Sequence, residues 1–105
     1  MKAKPGEIWL ADLGIQAKRR PVLVVSRDDP DPPRVLTVYV PLTTQNRHSP
    51  YEVDLGKLPF LDRPSVANVQ GIASIADVRL ERRLGSLPKD QLEAVKEAIR
   101  YAMEL

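Results

Sequence analysis

The sequence predicts a mainly β fold: a small twisted antiparallel sheet curled into a barrel, with one C-terminal amphipathic helix packed across it, as a single domain over residues 1–105. Three observations carry this. Short β-branched runs recur between Gly and Pro punctuation, one of them is apolar throughout, and a helical stripe occurs only in the last sixth of the chain. At 105 residues the chain is of a size to bury one hydrophobic core.

The elements follow in order. Gly6 to Leu13 alternates, with Ile8 and Leu10 on one face and Glu7, Trp9 and Ala11 on the other, which predicts a first strand. After a short polar connection from Gly14 to Arg19, Pro21 to Ser26 reads as a central strand, because an unbroken apolar run needs cover on both faces. Asp28 to Pro33 is a solvent loop, since its prolines remove donors and restrict the residues before them. From Val35 to Thr43 the even positions Leu36, Val38, Val40 and Leu42 are aliphatic, so the even face is expected to be core and Thr43 to look away from it. Tyr51 to Leu55 and Ser65 to Gln70 are two further strands, and Ile72 to Ile75 continues the sheet after Gly71. Pro88 fits a first helical position, and Leu92, Val95, Ile99 and Ala102 recur at helical spacing over about four turns.

Composition narrows the functional classes. The absence of cysteine removes disulfides and thiolate metal sites, and the sequence shows no basic-then-apolar leader at its start, so a cytoplasmic protein is expected. No apolar run approaches the roughly 20 residues of a membrane helix. The net charge of +2 does not by itself announce a nucleic-acid partner, but the basic residues are grouped: Lys18, Arg19 and Arg20 with Arg27, then Arg79, Arg82 and Arg83. Read alone, either group also describes a solvated face.

A single histidine, His48 in the polar loop Gln45 to Pro50, excludes a His-His metal pair or a two-histidine acid/base site within one chain. No Gly-rich phosphate loop or nucleophile elbow is present. What remains is arginine, hydroxyl and amide chemistry, which suits phosphate: a guanidinium offers a planar fork of donors and stabilises charge that grows on phosphoryl oxygens. Arg20 precedes Pro21, which biases it toward extended backbone at the start of the stiffest strand. If strands 21–26 and 35–43 pair antiparallel, Arg20 and Thr43 share a rim. Equally, a surface charge and a turn-closing hydroxyl would look the same.

The strings Gly6-Glu7-Ile8-Trp9-Leu10-Ala11-Asp12-Leu13, Arg20-Pro21-Val22-Leu23-Val24-Val25-Ser26 and Val38-Tyr39-Val40-Pro41-Leu42-Thr43-Thr44 resemble, in order, the MazF/PemK/Kid toxins. Ser65 to Val69, Ile72 to Ile75, Arg79-Leu80 and the final helix fit the second half of that family, so the likeness spans nearly the whole chain. It implies an SH3-like barrel with a C-terminal helix, a homodimer, and a sequence-specific endoribonuclease that cuts single-stranded mRNA without a metal or other cofactor. It also implies a cognate antitoxin protein as partner. By the resemblance Arg20 and Thr43 are catalytic, and Lys18, Arg19, Thr44, Asn68 and Gln70 are expected RNA contacts. The implied reaction is attack of the RNA 2′-hydroxyl on the adjacent phosphate, leaving a 2′,3′-cyclic phosphate and a 5′-hydroxyl.

Two features depart from the family pattern. The connection Gly14 to Arg19 is shorter than the loop many relatives carry, which puts substrate gating by that loop in question. Where some relatives carry an acidic site residue this chain has Asn68-Val69-Gln70-Gly71, with Asn68 and Gln70 on one face of an expected strand and neither able to act as a carboxylate base. A rival from another class is a non-catalytic protein on the same barrel, either an RNA-binding module or a protein-directed poison like the gyrase-directed CcdB toxins. The joint presence of Arg20-Pro21 and Thr43 favours the nuclease.

Overall fold

The computed structural model describes residues 2–16 and 18–105, so that Ala17 of the short connection lies outside the described residues. Seven strands form one antiparallel sheet: β1 (Glu7–Asp12), β2 (Arg19–Val24), β3 (Leu36–Thr43), β4 (Glu52–Gly56), β5 (Ser65–Asn68), β6 (Ala73–Ala76) and β7 (Leu80–Ser86). Their order is β4-β5-β3-β2-β1-β7, and β6 pairs with the free half of β3. The helix α1 (Lys89–Met103) closes the chain. This is the predicted class, mostly antiparallel sheet with one C-terminal helix.

The unbroken apolar run of β2 is explained by two cores on opposite faces of the sheet. On one face Leu23 meets Ile8, Val40, Leu55, Ala67 and, from α1, Val95 and Ala98. On the other, Val22 and Val24 meet Ala3, Ala11, Tyr39 and Leu80, with Trp9 against them. A fully buried aliphatic side chain contributes about 1.5–3 kcal/mol, so both faces of this strand stabilise the fold. Along β1, Ile8 belongs to the first core, and Trp9 and Ala11 on the other face belong to the second.

That second core also corrects the reading of β3. Leu36 is 42% exposed, although it belongs to the even face expected to be core, whereas Thr37 and Tyr39 on the odd face are buried. The helix covers the even face only from Val40 onward, and the Thr37 hydroxyl is satisfied by donating to Asp77 Oδ1 at 3.1 Å.

Two other expectations are revised. The strand from Ser65 ends at Asn68, and Val69–Gly71 is a 3₁₀ turn, because the Asn68 side-chain oxygen accepts the Gln70 N–H and supplies the turn with a cap. Gly71 is required there: a Cβ would lie 2.6 Å from Pro41 Cγ. Pro88 is the N-cap of α1 rather than its first helical residue.

Candidate functional site

The antiparallel register of β2 and β3 pairs Val22 with Pro41, Leu23 with Val40 and Val24 with Tyr39. Continued two residues outward, it sets Arg20 opposite Thr43, and residues opposite one another in an antiparallel pair lie on the same side of the sheet. Both are held by their other neighbours, Arg20 beside Ala11 of β1 and Thr43 beside Val66 of β5. The observed pairing ends at Val22 and Pro41, and beyond it Arg20 is exposed and Thr43 half-buried.

Thr43 forms one wall of a depression of about 470 Å³. Asn68 and Gln70 form another wall, Tyr51 and Glu52 of the strand beyond contribute to it, and Gln45, Arg47 and Ser49 of the intervening loop complete it. Thus Asn68 and Gln70 do meet at one place, through the 3₁₀ turn rather than through a shared strand face. Arg20 is not part of that lining. Lys18 and Arg19 border a separate depression with Arg79 and Asp12. There the Arg19 Nε donates to both Glu81 carboxylate oxygens, at 2.8 and 3.0 Å. Thr44 borders a third depression with Phe60 and Arg82.

Hydrogen bonding fixes what several of these groups can offer. The Thr43 hydroxyl oxygen accepts the Gln45 N–H at 3.2 Å and keeps its own hydrogen as a donor. The Asn68 carbonyl oxygen accepts the Gln70 N–H at 3.2 Å, which leaves its amide group to present hydrogens. Arg47 brings a guanidinium, which has donors only.

Glu52 was not singled out from the sequence, yet it shapes the loop. Its Oε1 accepts the Ser49 hydroxyl at 2.8 Å and the Ser49 N–H at 3.1 Å, and its Oε2 accepts the Arg47 N–H at 3.1 Å. The Ser49 hydroxyl and the Arg47 N–H hold this carboxyl below the usual glutamate range despite an opposing push from burial, with the Ser49 N–H and the Arg47 charge adding to the effect. A carboxylate so engaged is a weak base; its role is to order residues 47–49. The signal in the sequence was the Ser49-x-x-Glu52 spacing, which in helices forms a reciprocal cap and here closes a turn. His48, exposed, takes a left-handed conformation with φ 58°, and its N–H donates to the Asn46 side chain at 2.8 Å.

Among the described residues no group of three or more His, Cys, Asp or Glu side chains is placed to hold a metal ion, and no helix is long and apolar enough to cross a membrane.

Known proteins share this fold. Residues 4–103 match the model of the PemK-like, MazF-like toxins of type II toxin-antitoxin systems. The endoribonuclease MazF6 of Mycobacterium tuberculosis is 34% identical over 108 residues, covering 94% of this chain and 95% of the relative. Of solved structures, the Mycobacterium tuberculosis toxin MazF-mt6 superposes with a TM-score of 0.82 at 32% identity, over 94% of this chain and 97% of that one. An endoribonuclease in complex with its cognate antitoxin, from a mycobacterial species, superposes with a TM-score of 0.83 at 26% identity, over 98% and 96% of the two chains. The chain belongs to the PemK-like, MazF-like toxin family of type II toxin-antitoxin systems.

Proposed function

We propose that this protein is an endoribonuclease toxin that cuts single-stranded RNA at Arg20 and Thr43 without a metal, acts in the cytoplasm as a homodimer, and is neutralised by a cognate antitoxin. The observation that carries the reading is the antiparallel register of β2 and β3, whose continuation by two residues would bring Arg20 opposite Thr43, in a chain 34% identical to a protein named as an endoribonuclease. The dimer and the antitoxin are carried from the family, one of whose structures holds a cognate antitoxin.

In the proposed reaction the 2′-hydroxyl gives up its proton as its oxygen bonds to the adjacent phosphorus, the bond from phosphorus to the 5′-oxygen breaks, and the 5′-oxygen takes up a proton, so that no net proton is gained or lost. The products are a 2′,3′-cyclic phosphate and a 5′-hydroxyl that has gained a proton. Arg20 offers a fork of donors to the phosphate as negative charge builds on it, and the Thr43 hydroxyl, whose oxygen accepts the Gln45 N–H, donates its hydrogen to a non-bridging oxygen. Positioning and fixed donors supply the rate. In this reading no metal takes part, so cleavage should survive EDTA.

The test is cleavage of a defined single-stranded RNA at saturating concentration, with the ends analysed. Arg20→Ala should lower turnover by about 10²- to 10³-fold, the usual loss for one preorganised donor to developing charge. Arg20→Lys should rescue little, because an ammonium cannot reproduce the fork. Thr43→Val should lower turnover with the melting temperature nearly unchanged. Parent rates in both Arg20→Ala and Thr43→Val would place the chemistry elsewhere, and cleavage that vanishes with EDTA and returns with magnesium would overturn the metal-free route.

A further inference from the structure

The C-terminal helix reaches the depression beside Thr43 through one pair of rings. α1 runs back along β4: near its start the Gln91 side-chain amide donates to the Leu55 carbonyl at 3.1 Å, and near its end Tyr101 meets Tyr51, the residue before β4 begins. A helix rises about 15 Å from Gln91 to Tyr101 and a strand about 14 Å from Leu55 to Tyr51, so one straight helix serves both contacts. The two rings meet edge to face, with centroids 5.3 Å apart and planes at 67°. Tyr101 stands one turn past the buried Ala98 on the same flank of the helix, yet is itself 56% exposed, so its share in the core is small.

Tyr51 packs against the first core and lines two depressions, the one beside Thr43 and another of about 580 Å³ at the helix end with Glu97, Arg100 and Leu105. Its backbone joins both walls of the first. The Tyr51 N–H donates to the Ser49 hydroxyl at 3.2 Å, on the loop that returns to Thr43 through the Gln45 N–H. The Tyr51 carbonyl accepts the Val69 N–H at 2.9 Å, at the start of the 3₁₀ turn that carries Gln70. A shift of Tyr51 therefore moves the loop wall and the turn wall together, and the Tyr101 ring stands against that shift from the helix side.

Resting on the nuclease reading above, we propose that Tyr101 is a positioning residue: its edge-to-face contact fixes Tyr51, and through Tyr51 it holds both walls of the depression in the arrangement in which Thr43 meets the phosphate. Tyr101 touches no RNA in this role. The worth of one aromatic pair sets the scale of the effect, about two- to tenfold in rate.

The test is cleavage of a defined single-stranded RNA, with turnover taken per folded molecule and read beside the amide resonances of Gln45, Ser49 and Gln70. Tyr101→Ala should lower kcat by about two- to tenfold. KM should barely move, because the cationic side chains that attract RNA stay in place. The three resonances should shift together. Tyr101→Phe should restore both kcat and the resonances, since the contact needs the ring and not the hydroxyl. In a Tyr51→Leu background, itself slower than the parent, Tyr101→Ala should cost nothing further, because the ring it acts through is gone. Parent turnover in Tyr101→Ala, a loss confined to KM, or no rescue by Tyr101→Phe overturns the proposal. So does an equal loss from Tyr101→Ala in both backgrounds, which would mean that Tyr101 acts at another contact, such as one with a second copy of the chain. A parent that cuts no RNA overturns the nuclease reading, and the resonances then decide the coupling by themselves: displaced in Tyr101→Ala they support it, unmoved they overturn it.

Discussion

Glu52 spends both carboxylate oxygens on the loop before it, and its value lies in what it holds rather than in proton transfer. Replacing it with Gln leaves one acceptor for three donors, so residues 47–49 should loosen. Cleavage efficiency should fall by about tenfold, the rough worth of one lost charge-assisted hydrogen bond, while the melting temperature moves little. The depressed pKa fixes the sign of the pH effect. The contribution of this carboxylate is fully present above the ordinary glutamate range, near 4.3, and is lost as pH falls through its lower value in the folded protein. Following the Arg47 and Ser49 amide resonances through an acid titration checks this, and a midpoint at or above the ordinary range would overturn it. The strand-end positions of Arg20 and Thr43 were legible in the sequence because strand pattern and a neighbouring proline fix where each stands. Glu52 was not, because its partners are backbone and hydroxyl groups of a loop with no periodicity to announce it.

At the scale of elements, the helix and the central strand could be read directly: 3.6-residue spacing and an unbroken apolar run each have few alternatives. β7 could not. Its Glu81, Arg82 and Arg83 are all exposed, and its pairing with β1 slips twice, between Ile8 and Trp9 and between Leu10 and Ala11, so no two-residue alternation survives. The 3₁₀ turn after β5 was hidden for a similar reason, since Asn68 reads as a strand residue until its side chain is seen capping Gln70. β7 carries a further constraint at Gly85, where an added Cβ would lie 2.3 Å from Phe60 Cδ2. Gly85→Ala must therefore displace the Phe60 ring. The expected cost is about 1–3 kcal/mol in denaturant unfolding, and Phe60→Leu in the same chain should recover part of it. Strictly additive losses would show that the ring moves aside freely.

Across the whole molecule the fold gathers the ends of β2 and β3 on one rim, so that Lys18 and Arg19 precede Arg20 and Thr43 ends the neighbouring strand. As a homodimer the protein would present two such rims to one RNA, and sedimentation across the micromolar range should return about twice 11.8 kDa; a constant single-chain mass would count against the dimer. The charge on each rim is not uniform. The Arg19 Nε–H is shared between both Glu81 carboxylate oxygens, which offsets part of its charge, whereas Lys18 is exposed at the turn before it. Affinity for single-stranded RNA falls with salt in proportion to the phosphates neutralised, the logarithmic slope changing by about 0.7 for each one. Lys18→Gln should therefore flatten the salt dependence of RNA binding by about 0.7. Arg19→Gln should flatten it less, because removing that guanidinium also releases the Glu81 carboxylate and takes only a partly offset charge from the rim, though the freed carboxylate should weaken binding at every salt concentration by repelling the backbone. Fluorescence anisotropy of a labelled RNA across a salt series separates the two variants. Equal changes of slope would mean that RNA displaces Glu81 from Arg19 on binding, and an unchanged slope in Lys18→Gln would take Lys18 out of the RNA path.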